Sequence, residues 1–241
     1  MRYAFISDIH GNLEALDTVL QEIEGASVET IVCLGDLVGY GADPNECVDR
    51  VRSLTEHIVV GNHDHAAVGL TDVDYFNPWA RAAVIWSGEV LRPENREFLK
   101  ALPLTLDLDD HLCVHSSPSS PAAWRYVLSA ADARYEFASF TERVCLIGHS
   151  HVPLLAVDAG GECSVQRDSV FTLRRDYRYI INAGSVGQPR DYDPRACYVI
   201  YDGETDRVEF RRVAYDIRRA QEKIIRAGLP PFLAERLAFG E

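Results

Sequence analysis

The sequence predicts an α/β fold in which two β-sheets pack on each other. Two observations carry this. Up to about residue 151, short apolar runs alternate with amphipathic helical patterns, the arrangement that builds a sheet with helical crossovers. After His151 the helical patterns give way to consecutive strand-like runs divided by Gly-, Asp- and Pro-rich turns. Such a run suggests a mostly antiparallel second sheet packed on the first.

The first strand is Tyr3-Ala4-Phe5-Ile6. Leu13, Leu16, Leu20 and Ile23 then recur at helical spacing, and Gly25 closes that helix. Ile31–Leu34 is the second strand. Asp43-Pro44-Asn45-Glu46 opens the next helix with an N-cap, a proline at the first helical position and an acidic residue completing a capping box. His57–Val60 is a third apolar run, and Asn77-Pro78 starts a helix with Trp79, Ala83, Trp86 and Val90 on one face. Strands at Leu112–Val114 and Val144–Ile147 bracket a helix that begins near Ser129 and runs toward Phe140. The later strands are Leu154–Val157, Cys163–Arg167, Tyr179–Asn182, Ala196–Tyr201 and Val208–Val213. A charged amphipathic helix occupies the tail, about 216–241, broken by Gly228-Leu229-Pro230-Pro231. No repeat, linker or low-complexity tract divides the chain, so residues 1–241 read as one domain.

Five of these runs end in a side chain that can bind a metal. Asp8 and His10 follow the first, Asp36 the second, Asn62 with His63 and Asp64 the third, His115 the fourth, and His149 with His151 the fifth. In open α/β sheets the ligand sits where such strands end. Carboxylates, imidazoles and one amide thus come from distant positions to one sheet edge, an arrangement that suits two metal ions side by side.

The ordered set Asp8-Ile9-His10, Gly35-Asp36, Gly61-Asn62-His63-Asp64, His115 and Gly148-His149-Ser150-His151 resembles the calcineurin-like metallophosphoesterases, dinuclear phosphate-ester hydrolases. Each block arises easily by chance, but all five occur in family order between Met1 and about Asp202. The resemblance implies a two-sheet β-sandwich flanked by helices, a four-layer α/β/β/α fold. It implies that Asp8, His10, Asp36 and His151 hold one ion and that Asp36, Asn62, His115 and His149 hold the other, Asp36 bridging. His63 would protonate the leaving oxygen, oriented by Asp64. The implied activity is hydrolysis of a small phosphomonoester or phosphodiester by metal-activated hydroxide. Donors of nitrogen and oxygen without sulfur suit transition metals. Manganese is the first choice by family analogy, with Fe, Ni²⁺, Co²⁺ and Zn²⁺ open. Two divalent ions less two carboxylates leave about +2, a positive spot suited to a phosphoryl group.

Composition narrows the alternatives. A formal charge of −13 argues against wrapping nucleic acid and against docking on anionic lipid. No apolar stretch approaches the ~20 residues of a membrane span, and the chain enters a strand at once, without a signal-like core. None of the six cysteines forms a Cys-x-x-Cys pair, and Cys33, Cys113, Cys145 and Cys197 lie inside strand-like runs. They read as reduced packing residues of a cytoplasmic protein. The expected partner is a small phosphorylated substrate; oligomeric state is left open.

Several residues keep two readings. Asn62 is a ligand or an ordinary turn residue, and His63 is catalytic or merely polar at the mouth. Tyr40, within Gly39-Tyr40-Gly41, shapes the pocket or belongs to a turn. Arg190 contacts substrate phosphate or pairs with Asp191 or Asp193. Trp124 and Tyr126 form an aromatic wall or core packing. Ser116 stands where relatives commonly have glycine, crowding the pocket floor or bonding substrate. Nucleotide or dinucleoside polyphosphate hydrolysis competes with the simple ester reading, and protein phosphatase is less attractive for so short a chain. In a different class, a non-catalytic scaffold on the same fold would need neither the full ligand set nor His63.

Overall fold

The computed structural model describes residues 1–241. In chain order the strands are β1 (Arg2–Ile6), β2 (Thr30–Cys33), β3 (Thr105–Leu108), β4 (His111–Val114), β5 (Val144–Ile147) and β6 (Leu154–Asp158). They continue with β7 (Cys163–Gln166), β8 (Val170–Thr172), β9 (Arg178–Asn182), β10 (Ala196–Asp202) and β11 (Arg207–Val213). The helices are α1 (Leu13–Glu24), α2 (Pro44–Leu54), α3 (Asn62–Ala67) and α4 (Pro78–Val90), then α5 (Pro93–Ala101), α6 (Ala130–Glu136), α7 (Ile217–Arg226) and α8 (Pro231–Glu235).

Alternation along the strands produces the layers. In β1, Ala4 and Ile6 share a core with Leu16 and Val19 of α1 and Val48 of α2. Tyr3 and Phe5, on the opposite face, pack against Leu146, Leu155 and Ile181 of the other sheet. From that second sheet Cys145, Ile147 and Ile180 turn outward onto Ala133 of α6 and Phe137. The result is helix, sheet, sheet, helix, the four layers expected. Because successive strand side chains point to opposite faces, each sheet serves two cores at once.

The division of strands between sheets differs from the expectation. One sheet has the order β2-β1-β10-β11-β8 and the other β3-β4-β5-β9-β6-β7. The strands after His151 therefore do not form a sheet of their own. β10 pairs antiparallel with β1, whereas β9 pairs parallel with β5, so both sheets are mixed. Short apolar runs of equal length carry no mark of which neighbour they pair with, and the chain crosses between sheets four times.

Local corrections have local causes. His57–Val60 is not a strand; only Ile58 bridges to Cys33, in parallel, before the chain turns into α3. Asp43 precedes α2 but makes no cap, because its carboxylate binds the Lys223 ammonium at 2.8 Å. On α4 the buried positions are Ala80, Ala83, Val84 and Ser87, while Trp79 and Val90 are exposed. The helices expected to open at Asn77 and Ser129 do so, each capped by that side chain, although α6 ends at Glu136 rather than running on toward Phe140. No helix is long and apolar enough to cross a membrane.

All six cysteines are free, and all but Cys163 are buried. Burial raises the Cys113 and Cys197 thiols to about 12, which suppresses the reactive thiolate. A disulfide reagent should therefore label Cys163 on the native protein, and six thiols after unfolding without reductant. Fewer than six would reveal a disulfide that the fold does not accommodate.

Candidate metal centre

The parallel strands of both sheets bring their carboxyl ends to one edge of the sandwich. Asp8 and His10 lie just beyond β1, Asp36 beyond β2, His115 beyond β4, and His149 and His151 beyond β5. Asn62 and His63 open α3, which follows the extended run beside β2. The loops past the strand ends stay paired: Asp8 N–H donates to Gly35 O, His10 N–H to Asp36 O and Gly148 N–H to His115 O. Beyond β9, Gly187 N–H donates to Asp8 O and Arg190 N–H to His151 O. This main-chain zipper joins the two sheets at the site.

Asp8, His10, Asp36, His149 and His151 all adopt positive φ, between 53° and 66°. Non-glycine residues rarely do so, and the strain is tolerated where surrounding structure over-determines it. Each such residue re-aims its side chain into the shared cavity. The close approach demands one small partner: a Cβ on Gly61 would lie 2.0 Å from Asp36 Oδ1.

Two groups of donors result. Asp8, His10, Asp36 and His151 form one, and Asp36, His115 and His149 form the other, all buried. Asp36 belongs to both. Its Oδ1 accepts from His63 N–H at 2.8 Å, leaving Oδ2 placed 3.6 Å from His10 Nε2 and 3.3 Å from His115 Nε2. Asp8 divides its oxygens likewise. Oδ2 accepts from Ser7 Oγ–H and His149 N–H, while Oδ1 has no hydrogen-bond partner.

The imidazoles are oriented by carbonyl oxygens. His10 Nδ1 donates to Val38 O, His115 Nδ1 to Leu34 O and His151 Nδ1 to Gln188 O, so these three present Nε2. His149 is reversed: Nε2 donates to Trp124 O at 2.8 Å, which leaves Nδ1 for a ligand. His10 Nε2 and His151 Nε2 face each other at 3.0 Å, two lone pairs when the rings are neutral. Asp8 Oδ1, Asn62 Oδ1 and His115 Nε2 are buried without partners. A proton on His10 would settle one contact and leave those three atoms unpaired. Divalent cations would take the whole set, so the donors fit the group that the sequence implies.

Charge follows the same logic. Burial opposes ionisation of Asp8, but the imidazoles of His151, His10 and His115 hold its carboxyl well below the usual range. Burial lowers His149 to about 4 and His151 to about 3, so both rings are neutral and able to coordinate. His115 goes the other way, to about 9, because Asp36 beside it outweighs burial.

A buried, mixed Asp/His cluster shared through one carboxylate decides the family when set beside known proteins. Residues 1–206 match the calcineurin-like phosphoesterase superfamily domain. The chain belongs to the calcineurin-like phosphoesterases. It is 40% identical over 242 aligned positions to an uncharacterized protein of Methanocaldococcus jannaschii, covering 98% of this chain and 97% of that one. A metallophosphoesterase crystal structure from Sphaerobacter thermophilus is 42% identical, with a TM-score of 0.90, covering 100% of this chain and 99% of that one. A Pyrococcus horikoshii structure, 22% identical with a TM-score of 0.82 over 100% of this chain and 98% of that one, shares the fold.

The remaining candidates sort by their contacts. His63 is buried, and its ring is gripped by Tyr40 at 4.6 Å, His10 at 4.7 Å and Phe76 at 4.8 Å between centroids. Asp64 does not orient it, contrary to expectation. Its Oδ1 accepts from Leu37 and Val38 N–H and its Oδ2 from Gly61 N–H, so it latches α3 to the Asp36 loop. The arrangement follows from helix position: Asp64 is the third residue of α3, where a carboxylate caps the helix start. Packing, not a carboxylate, aims His63.

Arg190 pairs with neither neighbouring acid. Asp191 pairs with Arg212 and Asp193 with Arg195. Arg190 Nη2 donates instead to Tyr40 Oη at 3.1 Å and Gln188 Oε1 at 2.7 Å. Trp124 serves through its carbonyl on His149, and its indole donates to Thr71 at 3.3 Å. Ser116 donates to Pro121 O and holds the loop that carries Trp124. Asn182, not singled out from sequence, donates to Gly148 O and Ser150 Oγ and fixes the His149 loop. A polar residue closing an apolar strand was its only signal.

The shared position of Asp36 sets an order of losses. Wild type should carry about two ions per chain, His10→Gln about one, and Asp36→Asn well under one, by elemental analysis. Full loading of the Asp36 variant would remove its shared role.

Proposed function

We propose that this protein is a dinuclear metal-dependent phosphoesterase acting on a small phosphomonoester or phosphodiester, with His63 as the general acid. The observation that carries this reading is Asp36 Oδ2, one oxygen set between His10 of the first donor group and His115 of the second. Asn62, whose Oδ1 is an unpaired buried acceptor, completes the second group. Two divalent ions held there would supply the nucleophile and neutralise the phosphoryl oxygens. Manganese is preferred by family analogy; Fe, Co²⁺, Ni²⁺ and Zn²⁺ suit the same donors.

The protein's own groups do the rest. Asn62, His63, His149 and Arg190 line one cavity, which supports a phosphoryl group resting on the ligands with its leaving oxygen toward His63. Burial holds the His63 imidazole well below its ordinary value, against the pull of Asp36. Anionic phosphoryl oxygens beside that ring would raise it and load the proton that the leaving group needs. The chain's charge of −13 disfavours long polyanions around this positive spot, which supports small substrates, and six free cysteines suit a cytoplasmic setting. We read residues 1–241 as one domain, because α7 and α8 pack on Tyr40 at the site itself. A scaffold would have no use for a complete donor set beside a tightly packed His63, and the hydrolase is the better reading.

Metal-loaded protein should turn over at least one simple ester when phosphate mono- and diesters are assayed with Mn²⁺, Ni²⁺, Co²⁺, Zn²⁺ and Mg²⁺. No turnover with any of the five would favour the scaffold.

General-acid catalysis by His63 predicts a dependence on the leaving group. An alkoxide needs protonation as it departs, whereas a nitrophenolate leaves nearly unaided. His63→Asn should keep its metal and lose about 10²–10³-fold in turnover of an alkyl ester, but only about tenfold with a nitrophenyl ester. Equal losses on both esters would assign His63 to positioning alone.

A further inference from the structure

We propose that the cavity beyond the metal ligands selects phosphate esters carrying a flat aromatic ring, of nucleotide size, with Arg190 holding anionic phosphate oxygens. This rests on the phosphoesterase reading and names its substrate class. The cavity measures about 670 Å³ and borders Asn62, His63 and His149. That lies in the ~300–1,000 Å³ range of small-molecule sites.

The lining decides the chemistry. No aspartate or glutamate lines the cavity, in a chain with 37 of them. Tyr40, Tyr75, Phe76, Trp124 and Tyr126 do. Two of these rings are unburied: Tyr75 is 88% exposed and Tyr126 51%. Exposed aromatics scattered singly need no explanation, but these two border one cavity. Tyr126 stacks on the metal-ligand candidate His149, with ring centroids 4.2 Å apart and planes 9° apart, so it stands as a fixed platform with solvent access. Trp124 is fixed too, by its carbonyl on His149 and its indole on Thr71. Preset flat surfaces stack a substrate ring at little entropic cost.

Arg190 supplies the charge. It lies over the Tyr40 ring, 5.5 Å from the centroid, forms no ion pair, and its Nε is buried without a partner. A guanidinium left unpaired beside a phosphate-ester site matches phosphoryl oxygens in shape and sign. Other substrate classes match less well. A bare sugar phosphate offers hydroxyls where this wall offers rings. A basic peptide needs the acids that are missing, and a long polyphosphate needs more cations away from the metal centre than Arg190 alone.

The test compares adenosine 5′-monophosphate with glycerol phosphate and ribose 5-phosphate, which share the phosphate and lack the ring. Wild type should favour the nucleotide by at least about tenfold in kcat/KM, mostly through KM. Tyr126→Leu and, separately, Tyr75→Ala should narrow that ratio; a ratio discounts any general loss of metal or fold. Arg190→Gln should raise KM for all three esters by about tenfold or more with a smaller change in kcat. A wild-type ratio near one, or a ratio untouched in both tyrosine variants, overturns the ring selectivity. An unchanged KM in Arg190→Gln overturns the phosphate contact. If no ester is turned over, the hydrolase reading itself fails. Equilibrium titration of metal-loaded protein then decides the selectivity: tighter adenosine 5′-monophosphate than glycerol phosphate upholds it, and equal affinities overturn it.

Discussion

Two imidazole nitrogens, His10 Nε2 and His151 Nε2, lie 3.0 Å apart with their Nδ1 protons committed to the carbonyls of Val38 and Gln188. Buried lone pairs at that separation repel, and water is excluded from between them. Asp8 Oδ1 sits 3.2 Å from His151 Nε2 and adds a further acceptor. A site so crowded with acceptors is unfavourable until cations occupy it, so metal binding would be linked to folding. Much of the surrounding architecture keeps these acceptors from relaxing apart.

That work falls to main-chain bonds. Side chains long enough to reach a metal from regular strand ends would retain rotamer freedom. Here the backbone itself turns, into the left-handed region at five of the proposed ligands, and is held there by neighbouring loops. Strain of this kind costs on the order of 1–3 kcal/mol per residue. It survives because the loops of β1, β2, β5 and β9 donate to one another's carbonyls, and because Asp64, Ser185 and Asn182 add side-chain ties. Asp64 accepts from three amides, Ser185 donates to Asp8 O, and Asn182 donates to Gly148 O. The mixed sheets matter for the same reason: antiparallel β10 beside β1 and parallel β9 beside β5 bring one rim of each sheet to the same edge.

Sequence was informative where chemistry and period coincide. Apolar runs ending in Asp or His marked strand ends and pointed to the residues that the structure gathers into two donor groups. Two packed sheets followed from the alternation of strands and helices, and the four-layer order from the family resemblance. Sheet membership was illegible, since Tyr3–Ile6 and Val144–Ile147 look alike while they enter different sheets. Asp64 was assigned to His63 by resemblance. Its real partners are backbone amides, which leave no trace in side-chain identity. His149 turned its other nitrogen to the site because Trp124, distant in sequence, offers a carbonyl. Asp43 looked like a cap until Lys223, far along the chain, claimed its carboxylate.

The C-terminal tail shows how packing alone can reach the chemistry. Residues beyond 206 lie outside the matched family region, yet Ala220, Ile224, Leu233 and Leu237 bury the same core as Tyr40. Lys223 ties α7 to Asp43 and Glu14, and Gly240 O accepts from Tyr192 N–H, two residues past Arg190. Tyr40 is thus held from behind while its ring presses on His10 and His63 and its hydroxyl meets Arg190. Its own positive φ, 55°, makes that support necessary. A shift of the tail would move Tyr40, and with it His63 and Arg190, without touching the donors on His115 or His149. The tail thus reaches His63, Arg190 and, through the same tyrosine, the donor His10, whereas His115 and His149 are held by carbonyls of other loops, those of Leu34 and Trp124.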